Sequence, residues 1–227
     1  YTAGDLNLCL FPPWFGPSTP DWPANARHVG FLLDQAEGDL ELDGALEDFL
    51  QEGEAPLLFT PGPTGYTHGG GFFSAATAAC VQLGIRAVFV TRGMEISEQL
   101  PKEIYACERA PFAALFPRVA LVVHHGGVGT TAQGLAAGCP QLITPFAFDQ
   151  PDNALRVRGL GAGDLLRQAE FSVNALVPRI RDLLDSAEIT EACKEIRARI
   201  AKENVDPSGR ACDLLEELVS SRDVTED

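Results

Sequence analysis

The chain has 227 residues, 45% of them hydrophobic, which is enough apolar content to bury a large core in one sizeable domain or two small ones. Its 32 acidic and 17 basic residues give a net charge of −15 at pH 7, a field that repels polyanions and excludes nucleic-acid binding as a main activity. No stretch approaches the roughly 18 consecutive apolar residues of a membrane span, and the first thirty residues lack the basic start and apolar stretch of a secretory signal.

The chain opens at Tyr1 and its only methionine is Met94, so a fragment or a processed chain is expected. Residues 1–30 are proline-rich and show little periodicity, and they are expected to run extended over a surface. Trp14, Phe15 and Trp22 within them are apolar enough to need a packing partner, either in the body of the chain or in a neighbour. The segment 1–44 reads as a lead-in, and 45–227 as the folded domain.

From residue 45 onward, apolar runs alternate with helical stretches. LEDFL at 46–50 suggests a short helix, and APLLFTPG places a strand at 57–60. FFSAATAACVQLG sets Phe72, Ala76, Ala79, Cys80 and Leu83 on one face at helical spacing, with Gly84 as the stop. AVFVT (87–91), EIYAC (103–107), VALVVH (119–124) and QLIT (141–144) are short and apolar on both faces, as buried parallel strands are. Helices are predicted near 130–137, 152–159, 175–185, 189–202 and 208–221. Pro178 should delay or kink the third of these. In the last, Asp206 can cap, Pro207 sits in the first turn, and Ala211, Leu214, Leu215, Leu218 and Val219 form the stripe. This alternation predicts an α/β fold, a Rossmann-like open parallel sheet with helices on both faces. The six cysteines contain no CxxC pair and read as reduced core thiols of a cytoplasmic protein.

The chemistry centres on VVHHGGVGTTAQGLAAG, residues 122–138. Gly126, Gly127 and Gly129 permit backbone angles that a β-carbon forbids, and the helix that follows starts with free N–H groups and a partial positive charge. Such a turn, beyond the carboxyl end of a buried strand, is a ready anion site. A ligand-free strand-to-helix turn is the plain alternative. A Walker loop is excluded because no lysine is present. GVGTTA satisfies G-x-G-x-x-[GA] with Asp149 about twenty residues on, so a dinucleotide (NAD or FAD) site of an oxidoreductase stays open, although PFAF separates the acid from its strand. Adjacent strand residues point to opposite faces, so His124 and His125 are poorly placed to share a metal, and no metal site is expected. One imidazole is expected to reach the anion while the other supports the loop. HGGGFF at 68–73 resembles the oxyanion segment of some hydrolases, but without G-x-S-x-G it reads as a flexible loop leading into the helix at 72.

The longer string HHGGVGTTAQGLAAGCPQLITPFAFDQPDNA resembles the nucleotide-sugar signature of the two-domain GT-B glycosyltransferases. The likeness is to the family-1 branch that includes antibiotic, sterol and plant secondary-metabolite enzymes. TPGPTGYTHGGGFF and APFAALFPRV stand where that family has its other donor loops, so the likeness covers residues 46–219 in order, with the start resembling the interdomain linker. It implies a C-terminal half that binds a UDP-sugar or dTDP-sugar as substrate, with no separate cofactor. The transfer implied is inverting and metal-independent, to a hydroxyl of a small or lipid-like acceptor. Residue by residue, it implies that His124 contacts the diphosphate and that Gly127, Val128, Gly129 and Thr130 line the helix start as its donors. Asp149 and Gln150 would hold sugar hydroxyls, and Arg109, Ala110 and Pro111 would meet the base.

Two departures from the pattern stand out. Pro63 occupies the place of a hydroxyl residue in the first donor loop, for which Thr64 is an imperfect substitute, and a base-stacking aromatic is missing near Arg109, so thymidine donors stay as open as uridine ones. The family's general base lies in the N-terminal, acceptor-binding domain, so no catalytic residue is expected in this chain, which alone should bind donor without transferring it. A non-enzymatic interaction module that has lost the donor is the remaining alternative.

Overall fold

The computed structural model describes residues 4–33, 41–62, 71–96 and 99–223, in two compact units formed by residues 1–33 with 199–227 and by residues 34–198.

In the first unit, β1 (Asn7–Cys9) and β2 (Ala26–His28) pair in parallel, and the Asn7 amide donates to the Asn25 side chain at 2.8 Å beside them. The proline-rich start is therefore not simply extended, as its composition predicts. Strands of three residues carry no readable periodicity, and aromatic packing holds them. Phe15 meets Phe31 edge-to-face at 5.2 Å, and Trp14 lies between Phe31 and the Arg199 guanidinium. The Asn204 side chain closes this unit by accepting from the Phe31 N–H at 2.8 Å and donating to the Phe31 carbonyl at 2.9 Å. The final helix runs Pro207–Asp223, and Asp206 caps it through the Gly209 N–H as expected. Its apolar stripe is only partly covered, since Leu215 and Val219 are exposed.

The second unit contains α1 (Gly44–Gln51), β3 (Leu57–Thr60), α2 (Phe72–Leu83), β4 (Ala87–Val90), β5 (Ile104–Cys107) and α3 (Phe112–Leu115). They are followed by β6 (Leu121–His124), α4 (Val128–Ala137), β7 (Gln141–Ile143), α5 (Gln150–Gly159), β8 (Gly163–Leu165), α6 (Val173–Asp185) and most of α7 (Ala187–Glu203). The strands form one parallel sheet in the order β5-β4-β3-β6-β7-β8, the open α/β architecture that the alternation predicts.

Strand alternation feeds two cores. Leu57, Phe59, Phe89, Leu121 and Val123 face α2 and α6, while Leu58, Val88, Val90 and Val122 face α1 and α3. Gly84 and Gly138 end α2 and α4 in left-handed conformation, each returning its N–H to carbonyls of the last turn.

Two details depart from expectation. Helix α6 begins at Val173 and runs through Pro178 rather than starting late. Pro178 and Asn174, whose carbonyl loses its helical partner, are both exposed, so water can satisfy that group. The strand β8 carries no local signal, because GDL has no apolar run. It forms because Gly163 lets the chain lie against β7, where a Cβ would overlap the Gln141 carbonyl.

Candidate functional site

The strand order reverses direction between β3 and β6, where Thr60 pairs with His124. Connections leave in opposite senses from these two strands, which opens a crevice beyond their carboxyl ends, the usual ligand position in such sheets. Pro61–Gly62 leaves β3 there, and His125–Gly126–Gly127 leaves β6.

Helix α4 opens onto this crevice. Its N-cap is Gly127, which offers no side chain, and the first intrahelical bond is donated by Thr131 to the Gly127 carbonyl at 3.0 Å. The N–H groups of Val128, Gly129 and Thr130 therefore precede the helical ladder. Gly129 is exposed, and nothing among the described residues lies within 4 Å of where its Cβ would stand, so the side of the first turn is uncovered there. These are three of the residues expected to offer donors, and the fold presents them together.

The two histidines separate sharply. His124 is fully buried, with Nε2 at 2.8 Å from Gln141 Oε1 and Nδ1 accepting the Gly126 N–H at 3.1 Å. The Gln141 amide in turn donates to the Thr131 carbonyl at 3.3 Å, so His124 ties β6, β7 and α4 together. This pattern requires the neutral ring protonated at Nε2. Burial, aided by the neighbouring His125, pushes its pKa down to about 3. With both nitrogens occupied inside the protein, the ring has nothing left for the diphosphate contact expected of it.

The His125 ring lies against the two glycines of the crevice. A Cβ at Gly62 would overlap the imidazole, and one at Gly127 would stand 2.5 Å from Nε2. Gly62 also has φ +68, a left-handed conformation that a side chain would strain. His125 is 7% exposed, and its Nδ1 is buried without a hydrogen-bond partner among the described residues. Burial, then the Arg92 charge, lowers its pKa to about 4 against an opposing pull from Asp149, so it too is neutral near pH 7. A buried polar atom left unpaired costs on the order of 1–3 kcal/mol and points to an unfilled partner. Thr60 Oγ1 and Thr131 Oγ1, at the end of β3 and in the first turns of α4, are likewise buried and unpartnered among the described residues.

The loop after β7 is locked from within. Gln150 Oε1 accepts the N–H groups of Phe146 at 2.8 Å and Ala147 at 3.2 Å, and the residue is 4% exposed, so it shapes the loop. Asn153, to which the motif assigns no role, donates to the Gly126 carbonyl and to Asp149 Oδ2, both at 2.9 Å, and so joins the glycine turn to Asp149. Asp149 itself is exposed. At the far side of the sheet edge, the Arg109 side chain is 84% exposed with Nε 3.6 Å from the Glu108 carboxylate, and Ala110 is half-buried ahead of α3. Thr64 and Pro63 lie outside the described residues. Among the described residues no group of three metal-ligating side chains converges, and no helix is long and apolar enough to cross a membrane.

Residues 82–214, more than half of the chain, match the model of the erythromycin biosynthesis protein CIII-like C-terminal domain. The chain belongs to this family. It is 32% identical over 220 residues to O-mycaminosyltylonolide 6-deoxyallosyltransferase of Streptomyces fradiae, covering 95% of this chain and 50% of that protein. Its fold matches the crystal structure of the glycotransferase of kitacinnamycin with a TM-score of 0.76 at 24% identity, over 93% of this chain and 54% of that one. The glycosyltransferase VinC, solved in complex with dTDP, matches with a TM-score of 0.72 at 23% identity, over 93% of this chain and 52% of that one. The chain thus spans about half the length of these proteins and corresponds to the C-terminal domain of a GT-B glycosyltransferase. Within the family motif HHGGVGTT, the geometry divides the labour: His124 builds the turn, and His125 faces the crevice.

Proposed function

We propose that this chain is the donor-binding half of a glycosyltransferase that moves a hexosyl group from a nucleotide diphosphate sugar to an acceptor hydroxyl. The observation that carries this reading is the start of α4, with its uncapped amides, at the strand switch point, flanked by the Nδ1 of His125, buried and unpartnered among the described residues. The Val128, Gly129 and Thr130 amides and the His125 ring are the donors for the diphosphate. Asp149, with one carboxylate oxygen held by Asn153, presents the other to sugar hydroxyls. Ala110, with its neighbours Arg109 and Pro111, meets the base.

Transfer makes the departing diphosphate more negative as the sugar becomes oxocarbenium-like. Donors fixed at that position therefore stabilise the transition state more than the bound ground state. Neutral amides and a neutral imidazole at a helix start contribute to this task without a metal ion. Inversion follows if the acceptor attacks the anomeric carbon opposite the phosphate, activated by a base in an acceptor-binding half. VinC, solved with dTDP, makes thymidine diphosphate the first ligand to try.

Thermal denaturation with dTDP, UDP and NAD, each with and without EDTA, tests the reading. One of the two diphosphates should raise the melting temperature regardless of EDTA, and NAD should not. Stabilisation by NAD alone would point to the oxidoreductase alternative, and indifference to all three to a domain that has lost its donor.

A further inference from the structure

Arg92 stands just past the end of β4 in a left-handed conformation, φ 54, that is unusual for a residue with a long side chain. Of the other two described non-glycine residues with positive φ, Asp206 is accounted for by its cap on Gly209, and Phe148 lies in the loop before Asp149. Arg92 caps nothing. The turn is built rather than loose: the Arg92 N–H donates to the Glu108 carbonyl at 2.9 Å, and the Met94 N–H closes back on Thr91 at 3.1 Å. The side chain is directed, with its guanidinium carbon 5.1 Å from the centre of the Phe112 ring, the first residue of α3 after the 109–111 loop. Its charge is also close enough to His125 to help keep that ring neutral. The cation thus stands between the expected base loop and the α4 mouth, and among the described residues no carboxylate pairs with it.

A site made only of amides and a neutral imidazole faces a charge deficit. A nucleoside diphosphate brings more than one full negative charge into a protein of net charge −15, and a helix start offers about half a positive charge. We propose that Arg92 is the cation of the donor site, its guanidinium laid over Phe112 to pair with the phosphates of the nucleotide. A planar guanidinium already stacked on a ring keeps its donors free at the edge, where two phosphate oxygens can be met together. The left-handed turn at the end of β4 is then the device that swings this side chain along the carboxyl edge of the sheet. This inference rests on the donor-binding reading above.

Calorimetric titration of the 227-residue chain with dTDP and with thymidine, at low and moderate salt, tests it. The wild-type chain should prefer dTDP. Arg92→Gln should lower dTDP affinity about tenfold or more, leave thymidine affinity unchanged and flatten the salt dependence. Arg92→Lys, which keeps the charge without the planar fork, should fall between. Arg92→Asn, suited to the left-handed backbone, should repeat the loss and decides the matter if the glutamine variant folds poorly. A folded variant without the guanidinium that keeps the wild-type preference for dTDP over thymidine overturns the proposal. A wild-type chain that binds no dTDP removes the donor-binding reading itself, and this proposal with it.

Discussion

Replacing His124 by alanine strands the Gln141 amide oxygen and the Gly126 N–H where water does not reach, and urea unfolding should record a loss of about 2–4 kcal/mol. His125→Ala breaks no such pair, and its main effect should fall on ligand, weakening dTDP binding about tenfold. A His124 variant of wild-type stability but impaired dTDP binding would reverse the assignment. The same two rings make the fold acid-sensitive. Their folded pKa values, about 3 and about 4, lie below the ordinary 6.5, so between these limits the unfolded chain binds more protons than the native one. Stability contributed by keeping them neutral is complete above pH 6.5 and declines as pH falls toward 4. The urea midpoint should therefore drop between pH 6.5 and 5, before carboxylates begin to protonate, and less steeply in His125→Gln. An unchanged slope in that variant would show that the ring is not held neutral. The sequence sets two imidazoles side by side and the resemblance assigns the ligand to His124, but which ring is bonded within the protein and which lies in the crevice depends on Gln141, Gly62 and Gly127, residues distant from the pair or in the turn.

Among the elements, the buried strands and the helices that end in Gly84 and Gly138 were readable because their patterns are local. Four residues apolar on both faces make a central parallel strand, and a glycine after a helical stripe makes a stop. The strand β8 was not readable, since its partner supplies the reason for its existence. Gly163 rests against the Gln141 backbone, and Gly163→Ala should break the β7–β8 pairing, shifting the thermal midpoint downward and exposing the amides of 163–165 to hydrogen exchange. Protection at those amides equal to wild type would show that the close approach is not required. Helix α6 gives the complementary lesson. Pro178 argues locally for a break, but Leu176, Val177, Ile180 and Leu183 are buried against the sheet, and that burial outweighs one lost hydrogen bond on the exposed side.

At the scale of the molecule, residues near the two ends of the chain form a unit of their own, tied by the paired hydrogen bonds between Asn204 and Phe31. Asn204→Ala should cost about 1–3 kcal/mol there and raise hydrogen exchange at Phe31, while the strands of the parallel sheet keep their protection. Equal loss in both units would show that they melt as one. Local pattern was sufficient for the α/β class, the places of the buried strands along the chain and the glycine turn that opens α4, because hydrophobic period and backbone freedom act over a few neighbouring residues. The parallel pairing of β1 with β2, the bonding of His124 to Gln141 with His125 left in the crevice, and the placement of Arg92 over Phe112 required the folded chain. Each depends on groups distant in sequence, and on which polar atoms those groups leave buried and unpaired.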